Sequence, residues 1–325
     1  GASYALMIKK DGSLWGIGNN DTGQLGNNTT SAVTIVSPIC VSTDTNWREV
    51  FCSGSWCTFA FKKDGTLWAW GSNPNGRLGV GKIGAVSSPC QIAGNDWKSI
   101  NVYRSQILGI KNSGDLYWWG DSGLWSEYST LSTSLPTLAN TIDTPVGGGW
   151  VYIQAADKHA TGIKTDGTIW SFGRGMYGEL LNNKVIYFTT SPVQDYFKDT
   201  KWKALGVDWV TTYGLREPMS SPTPSPTSSP TPTPFPTMPL TPSPSTTPLP
   251  TATPIANLFS WGRNTAGQLG VGTTLNTSSP QQVLGGITNW RSVSMNANSS
   301  NLSFGAIKDD GTLWTVSYTH LTLPT

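Results

Sequence analysis

Short apolar runs alternate with polar turns along most of the chain, and the same arrangement recurs several times. In residues 58–71, the segments TFAFKK and TLWAWG flank Asp64-Gly65. Aromatic and β-branched residues in such short runs favour strands, and Asp-Gly supplies the positive φ angles of a tight type I′ hairpin. The 3.6-residue period of an amphipathic helix does not appear. The pattern therefore predicts antiparallel hairpins.

The hairpin belongs to a longer repeat, with a period of about 50 residues. Its turn glycine recurs at Gly12, Gly65, Gly114, Gly167 and Gly311. A tryptophan that opens another strand recurs in step, at Trp47, Trp97, Trp150, Trp202 and Trp290. A glycine-rich loop and a fourth strand, SSPCQI at 87–92, complete the unit. We therefore expect an all-β fold, a β-propeller of four-stranded blades with about six repeat units.

The repeat resembles a known family. Residues 62–79 read Lys-x-Asp-Gly-x-Leu-Trp-x-Trp-Gly-x-Asn-x-x-Gly-x-Leu-Gly, which is similar to the regulator of chromosome condensation repeat in its bacterial or phage type. The resemblance covers residues 1–216 and 258–315, and it implies a propeller that is usually seven-bladed, here as an incomplete ring. Members often carry a histidine before the strand that leads to Asp-Gly. Only His159 matches; the other places hold Tyr4, Cys57, Gln106 and Thr211.

Residues 218–254 form a tract of proline, serine and threonine that contains 14 prolines and neither charge nor glycine. Such a composition cannot bury a core and behaves as an extended, solvated spacer. The repeat stays in phase across the tract, because the flanking segments align with the two strands of one hairpin. We expect propeller blades in residues 1–217 and 255–315, with the tract inserted at a hairpin tip. The alternative is a tract that joins two propellers.

The ends of the chain are expected to be incomplete. The first residue is Gly1 rather than Met, and the sixth unit loses the repeat pattern at about Val316. The sequence is therefore interpreted as a fragment. Residues 316–325 are interpreted as an artefactual tail, which removes His320 from consideration.

Composition excludes several classes of partner. Charged residues make up 12% of the chain and the formal net charge is +2, so no nucleic-acid binding is expected. No run of 18 apolar residues is present, so no membrane insertion is expected. The Pro/Thr tract favours an extracellular, cell-surface or virion setting.

The residue types that could carry chemistry have structural explanations. The cysteines lack metal-ligand spacing and are expected to pack as small apolar residues rather than form disulfides. GVGKIG at 79–84 lacks the helix that a phosphate-binding loop needs. The hairpin aspartates have turn roles, and His159 is expected to be a hydrogen-bonded structural residue. The five repeated tryptophans are expected to pack between blades. We therefore expect no enzymatic activity, no cofactor and no metal.

What remains is a binding surface. In a four-stranded blade the first turn and the long third loop emerge on one face, and the Asp-Gly hairpins emerge on the other. The first turns vary between units and carry residue types that dominate binding hot spots. The candidate protein-binding residues are Tyr4, Trp56, Arg104, Lys158, His159 and Trp209. This position resembles the face with which propeller-type bacterial β-lactamase inhibitor proteins bind an enzyme.

The sequence therefore predicts a non-enzymatic scaffold that binds another protein through loops on one face. The alternative is a carbohydrate-binding module of an extracellular protein, which would use exposed tryptophans. A third hypothesis is guanine-nucleotide exchange, as performed by the eukaryotic namesake of the repeat, and it rests on fold analogy alone.

Overall fold

The computed structural model describes residues 3–121, 132–139, 148–208, 210–217, 256–283, 289–295, 304–316 and 321–322. The regular elements described there are short strands. In chain order they are β1 (Tyr4–Ile8), β2 (Leu14–Asn20), β3 (Ser31–Ser42), β4 (Trp47–Cys52), β5 (Cys57–Lys62), β6 (Leu67–Gly71), β7 (Val86–Gln91), β8 (Trp97–Tyr103), β9 (Gln106–Lys111), β10 (Leu116–Asp121), β11 (Ser132–Leu138), β12 (Trp150–Ala155), β13 (His159–Lys164), β14 (Ile169–Gly175), β15 (Ile186–Gln194), β16 (Trp202–Val207), β17 (Thr211–Arg216), β18 (Asn257–Gly262), β19 (Thr277–Gln282), β20 (Trp290–Met295), β21 (Phe304–Lys308), β22 (Leu313–Val316) and β23 (Leu321–Thr322).

These strands form six antiparallel sheets within the described residues, and in each sheet consecutive strands are neighbours. We number the sheets as blades: blade 1 is β1–β3, blade 2 is β4–β7, blade 3 is β8–β11, blade 4 is β12–β15, blade 5 is β16–β19 and blade 6 is β20–β23. Blade 1 contains three strands, which correspond to the second, third and fourth strands of the others. The predicted four-stranded unit is confirmed.

The blades share a hub. Their first strands contact one another in succession, β8 with β12, β12 with β16 and β16 with β20. The second strands of blades 2 to 5 are buried along most of their length, whereas fourth strands such as β3 are largely exposed. Antiparallel sheets with buried inner strands around a common centre are the arrangement of a β-propeller, so the predicted fold is confirmed.

The Asp-Gly hairpins have a different turn from the predicted one. The turn glycines do have positive φ, for example 83° at Gly65, but the preceding Asp64 does not. The Gly65 amide donates to the carbonyl oxygen of Lys62 at 3.1 Å. A type I turn followed by a left-handed glycine fits these observations, so the prediction of type I′ is wrong. The hairpin loop has three residues rather than two.

The carboxylate of the turn aspartate explains this choice. Asp64 Oδ1 accepts hydrogen bonds from the backbone amide of Thr66 at 3.0 Å and from Thr66 Oγ1 at 2.7 Å. Thr66 Oγ1 in turn accepts a bond from Trp68 Nε1 at 2.9 Å. These bonds hold the pKa of the Asp64 carboxyl below its ordinary value. The aspartate is committed to its own hairpin, as expected.

The basic residue of the motif is also structural. Lys62 Nζ lies 4.8 Å from the ring centre of Trp47 and 4.3 Å from that of Trp68, which are cation–π distances. The same arrangement recurs at Lys111, Lys164 and Lys308, and blade 5 uses Arg216.

The five repeated tryptophans are buried, as expected, but the described aromatic contacts that they make lie within their own blades. Trp47, for example, makes edge-to-face contacts with Trp68 and Trp70. They also belong to buried apolar clusters that join neighbouring blades, which agrees with the predicted packing between blades. Trp150 shares a cluster with Leu108 of blade 3, Trp202 with Ile163 of blade 4, and Trp290 with Tyr213 of blade 5.

The proline-rich tract is flanked by paired strands. β17 ends one residue before Glu217 and β18 begins at Asn257, and the two strands pair with Arg216 opposite Asn257. They are the second and third strands of one four-stranded sheet. This pairing supports the interpretation of the tract as an insertion at a hairpin tip. Residues 218–254 themselves lie outside the described residues.

Two smaller predictions concern the cysteines and the tail. All four cysteines are free. Cys57 is buried, but Cys40 is exposed because it lies on the outer strand β3, so its predicted burial is wrong. In the segment interpreted as a tail, Leu321 pairs with Val316, which places β23 beside β22.

Candidate protein-binding face

The first turns are fixed to the long loops by backbone contacts. Trp56 lies in the turn between β4 and β5 with a φ of 57°, and its carbonyl oxygen accepts the amide of Ser72 at 2.9 Å. Gly71 permits this approach: its φ is 98°, and a Cβ atom there would lie 2.5 Å from the Trp56 oxygen. The first turn and the long loop after β6 therefore emerge side by side, as predicted.

The same backbone bond recurs in every blade whose first turn is described. The acceptors in the other blades are the carbonyl oxygens of Ser3, Ser105, Lys158 and Val210, at donor–acceptor distances of 2.7 to 2.9 Å. Because the bond uses main-chain atoms alone, the side chains of these turns are free to vary. We call the surface made by the first turns and the long loops the first-turn face.

Buried asparagines hold the long loops. In blade 2, Asn73 Oδ1 accepts the Leu78 amide at 2.9 Å, and Asn73 Nδ2 donates to the Lys82 carbonyl oxygen at 2.7 Å. Asn20 and Asn264 accept the equivalent leucine amides in blades 1 and 5. The pattern of strands and turns did not predict this role of the asparagine. Its recurrence after Gly-x was the signal that could have revealed the role.

Each long loop also lies against the next blade. Trp70 of blade 2 donates its Nε1 proton to the carbonyl oxygen of Gln24 in blade 1, at 3.0 Å. Trp119 of blade 3 does the same to Arg77 of blade 2, at 2.9 Å. These bonds tie successive blades together.

A cleft of about 810 Å³ crosses the boundary between blades 2 and 3 on the first-turn face. Trp56, Pro74 and Arg77 line it from blade 2, and Tyr103, Arg104 and Ser105 line it from blade 3. We call it the blade 2–3 cleft. It brings together two of the predicted residues, Trp56 and Arg104, with two that sequence reasoning missed, Arg77 and Tyr103.

Trp56 and Arg104 are accessible in this cleft. Trp56 is 48% exposed, although tryptophan is among the residues most often buried in a core. The Arg104 side chain is 62% exposed, and its Nη1 lies 3.3 Å from Asp157 Oδ1 of blade 4. Both residues adopt positive φ, so their turns hold the side chains on a fixed backbone.

Tyr4 and His159 are buried, so their side chains offer a partner no surface. The Tyr4 hydroxyl donates to the Cys57 carbonyl oxygen at 2.9 Å, which ties blade 1 to blade 2. His159 is 1% exposed and its Nε2 lies 3.3 Å from Thr212 Oγ1 of blade 5. Lys158 is half-buried in its first turn. Trp209 lies outside the described residues.

Burial sets the charge of His159. Removal from water, together with the smaller effect of the nearby Arg174 guanidinium, lowers the pKa of the imidazole to about 3. The ring is therefore neutral at physiological pH. Its interpretation as a hydrogen-bonded structural residue agrees with this position.

A second cleft, of about 650 Å³, lies between blades 5 and 6 near the roots of the tract. It is lined by Trp290, Arg291 and Asp309, among others, and by Lys203 and Glu217, which pair with each other at 3.0 Å. None of the predicted binding residues lines it. The blade 2–3 cleft is therefore the better candidate.

Two further observations concern the described part of the chain. It holds no group of three or more His, Cys, Asp or Glu side chains that could bind a metal ion. It also has no helix of the length and apolarity needed to span a bilayer.

Comparison with known families supports the repeat directly. The model of the "Regulator of chromosome condensation (RCC1) repeat" matches residues 11–60, 64–102 and 256–300. The chain therefore contains RCC1 repeats in these three segments. The first match runs from the hairpin before β2 of blade 1 into β5 of blade 2, the second from the hairpin before β6 into β8 of blade 3, and the third begins just before β18 of blade 5.

Relatives in the RCC1 family are moderately similar. The ultraviolet-B receptor UVR8 of Arabidopsis thaliana is 25% identical over 292 residues, which is 87% of this chain and 56% of UVR8. The human E3 ubiquitin-protein ligase HERC2 is 27% identical over 184 residues, 54% of this chain and 4% of HERC2. The chain thus spans about half of UVR8 and a small part of HERC2.

Solved RCC1-like structures share the fold. Yeast RCC1 (Prp20) superimposes with a TM-score of 0.65 at 14% identity, over 98% of this chain and 68% of that one. Human WBSCR16 gives a TM-score of 0.62 at 16% identity, over 90% of this chain and 68% of that one. At these identities the likeness supports the propeller fold.

Proposed function

We propose that this RCC1-repeat chain is a non-enzymatic propeller scaffold that binds another protein through its first-turn face. The observation that carries the proposal is the blade 2–3 cleft, in which an exposed tryptophan and an exposed arginine lie on turns fixed by backbone bonds. Tryptophan and arginine dominate the energetics of protein interfaces. Preorganised turns reduce the entropy that a partner's binding must overcome.

Solved relatives support proteins as the class of ligand. Yeast RCC1 was crystallised with Kap60 bound, and Prp20p of Saccharomyces cerevisiae was described with binding properties to Gsp1p and histones. Both structures are of the same yeast protein, and in both cases its named partners are proteins. Since identity is 14%, we transfer the class of ligand and none of these individual partners.

Site-specific photocrosslinking tests the proposal. A photoreactive phenylalanine derivative is placed at position 56, and the matched control carries it at position 63, where exposed Lys63 lies at the other end of the same strand. We expect covalent capture of one protein, from the cells that produce the chain, at position 56 only. The purified partner should then bind the Trp56→Ala, Arg104→Ala double variant with at least about tenfold lower affinity. Equal capture at both positions, or unchanged affinity, would refute the first-turn face as the binding site.

Carbohydrate binding is the second candidate, favoured by the half-exposed ring of Trp56. It predicts binding on a glycan array that Trp56→Ala abolishes, with no protein captured at position 56. Guanine-nucleotide exchange predicts faster nucleotide release from a small GTPase, and an unchanged release rate would remove it.

A further inference from the structure

Arg77 departs from the rest of the repeat. Gln24, Glu179 and Gln268 hold the same loop position in blades 1, 4 and 5. The side-chain oxygen of each accepts the backbone amide two residues earlier, at 2.8 to 2.9 Å. Arginine has only donors and cannot close the loop in this way. The loop itself therefore does not explain an arginine at this position.

The contacts of Arg77 leave its charge without a counter-ion. The side chain is 8% exposed, and its Nη1 donates to the Ser55 carbonyl oxygen at 3.2 Å. The neighbouring Cys57 thiol stays neutral, because burial raises its pKa. Among the described residues, Arg77 forms no ion pair and its Nε has no acceptor. A buried cation without an anion is unfavourable, so an incoming anion would gain much at this place.

Two other polar groups of the cleft keep unused hydrogen-bonding capacity. Tyr103 is 6% exposed, and its hydroxyl has no hydrogen-bond partner among the described residues. Arg104 uses Nη1 in its ion pair with Asp157, so its other N–H groups take no part in that pair. None of the described residues that line the cleft carries a carboxylate. The cleft thus combines two guanidinium groups, a hydroxyl and an exposed indole.

We infer that the blade 2–3 cleft binds a side-chain carboxylate, an Asp or Glu of the partner protein. The inference rests on the proposed function and names the chemistry that the partner presents at this site. The carboxylate supplies acceptors to Arg77 and Tyr103, and Trp56 covers the apolar part of the same loop of the partner. Hydrogen bonds to charged groups are the strong ones, and arginine matches the geometry of a carboxylate.

Peptide display on the intact chain tests this inference. A random dodecapeptide library is selected on the intact chain, and peptides that also bind the Trp56→Ala, Arg104→Ala double variant are discarded. We expect the remaining peptides to share an Asp or Glu at one position. A synthetic peptide in which Asn or Gln replaces that residue should bind about tenfold more weakly or worse. Peptides without an acid, amide versions that bind equally well, or no cleft-dependent peptide would each overturn the inference.

Three variants connect the carboxylate to named groups. Arg77→Met should remove the difference in affinity between the acidic peptide and its amide version. Tyr103→Phe should weaken the acidic peptide several-fold and leave the melting temperature unchanged, since the hydroxyl has no partner inside the chain. Tyr4→Phe is the matched control: it should lower the melting temperature, because its hydroxyl is bonded to Cys57, and leave the affinity unchanged. If Arg77→Met does not fold, the Tyr103→Phe comparison still decides.

The outcomes separate this inference from the proposed function. Neutral peptides that require Trp56 would refute the carboxylate and leave protein binding at the first-turn face intact. Absence of any protein captured at position 56 would refute the proposed function itself.

Discussion

Individual glycines and side chains decide how the first-turn face is built. Gly71 lets the long loop approach the Trp56 turn, and its φ of 98° is one that other residues rarely adopt. His159, which resembles the family histidine in the sequence, is a buried neutral ring between blades 4 and 5. Both residues belong to the framework, whereas Trp56 and Arg104 are exposed at the surface.

A glycine substitution tests the framework. Gly71→Ala should lower the free energy of unfolding by about 2 kcal/mol or more, because its Cβ would collide with the Trp56 carbonyl oxygen. The control is Gly54→Ala in the neighbouring first turn, where a Cβ meets no atom within 4 Å and the change should be within about 0.5 kcal/mol. Urea unfolding measures both. Equal losses would mean that the close approach at Gly71 is not the cause.

His159 should make stability depend on pH. Its folded pKa of about 3 lies below the ordinary value of about 6.5, so the unfolded chain binds an additional proton between these values. Stability is therefore full above pH 6.5 and falls as the pH falls towards 3. Between pH 7 and pH 5 the histidine should account for about 2 kcal/mol of loss. His159→Gln should remove that part of the loss, and an unchanged slope would show that His159 is not buried as a neutral ring.

At the scale of the element, the long loop of blade 2 contributes both to the stability of the fold and to the proposed binding site. One asparagine side chain holds this loop in blades 1, 2 and 5, and in blade 2 the same loop carries Arg77 into the cleft. The long loops of blades 1 and 5 are held in the same way but carry different side chains. The two effects can therefore be separated by comparing blades.

Two equivalent asparagines provide that comparison. Asn73→Ala and Asn264→Ala should each cost about 2 kcal/mol of unfolding free energy, because each leaves a buried leucine amide without its acceptor. Only Asn73→Ala should also weaken binding of the captured partner, since it frees the loop that positions Arg77. Chemical unfolding and binding of the partner measure the two effects. Equal effects on binding would contradict a cleft confined to blades 2 and 3.

At the scale of the whole molecule, the repeat phase predicted the blades and their order. The recurring Gly12, Gly65 and Gly114 located the hairpins correctly, because only glycine readily adopts their positive φ. The turn type was not predictable from Asp-Gly alone, since the carboxylate bonds that favour a type I turn involve the residue after glycine.

Only part of the candidate site could be predicted, because the sequence does not show the direction in which each side chain points. The first-turn position correctly identified Trp56 and Arg104 as accessible. It could not show that Tyr4 and His159, which open second strands, point towards the neighbouring blade. Arg77 was missed because its significance appears only when its contacts are compared with those of Gln24.

The tract gives a prediction for the whole chain. Because β17 and β18 pair across residues 218–254, the parts on either side should belong to one propeller. Limited proteolysis within the tract should give two fragments that co-elute in size-exclusion chromatography without denaturant. The control is cleavage after prior unfolding in urea, which should give fragments that separate. Separation under native conditions would favour two propellers.

The ties between blades use a main-chain oxygen, and this has a consequence for how such rings diversify. Trp70 and Trp119 each bond to the carbonyl of a loop residue whose side chain is glutamine in one case and arginine in the other. A substitution at this loop position changes the side chain on the first-turn face and keeps the hydrogen bond between the blades. Duplicated repeat units could thus acquire new ligands at one blade boundary after another, while the propeller fold stays the same.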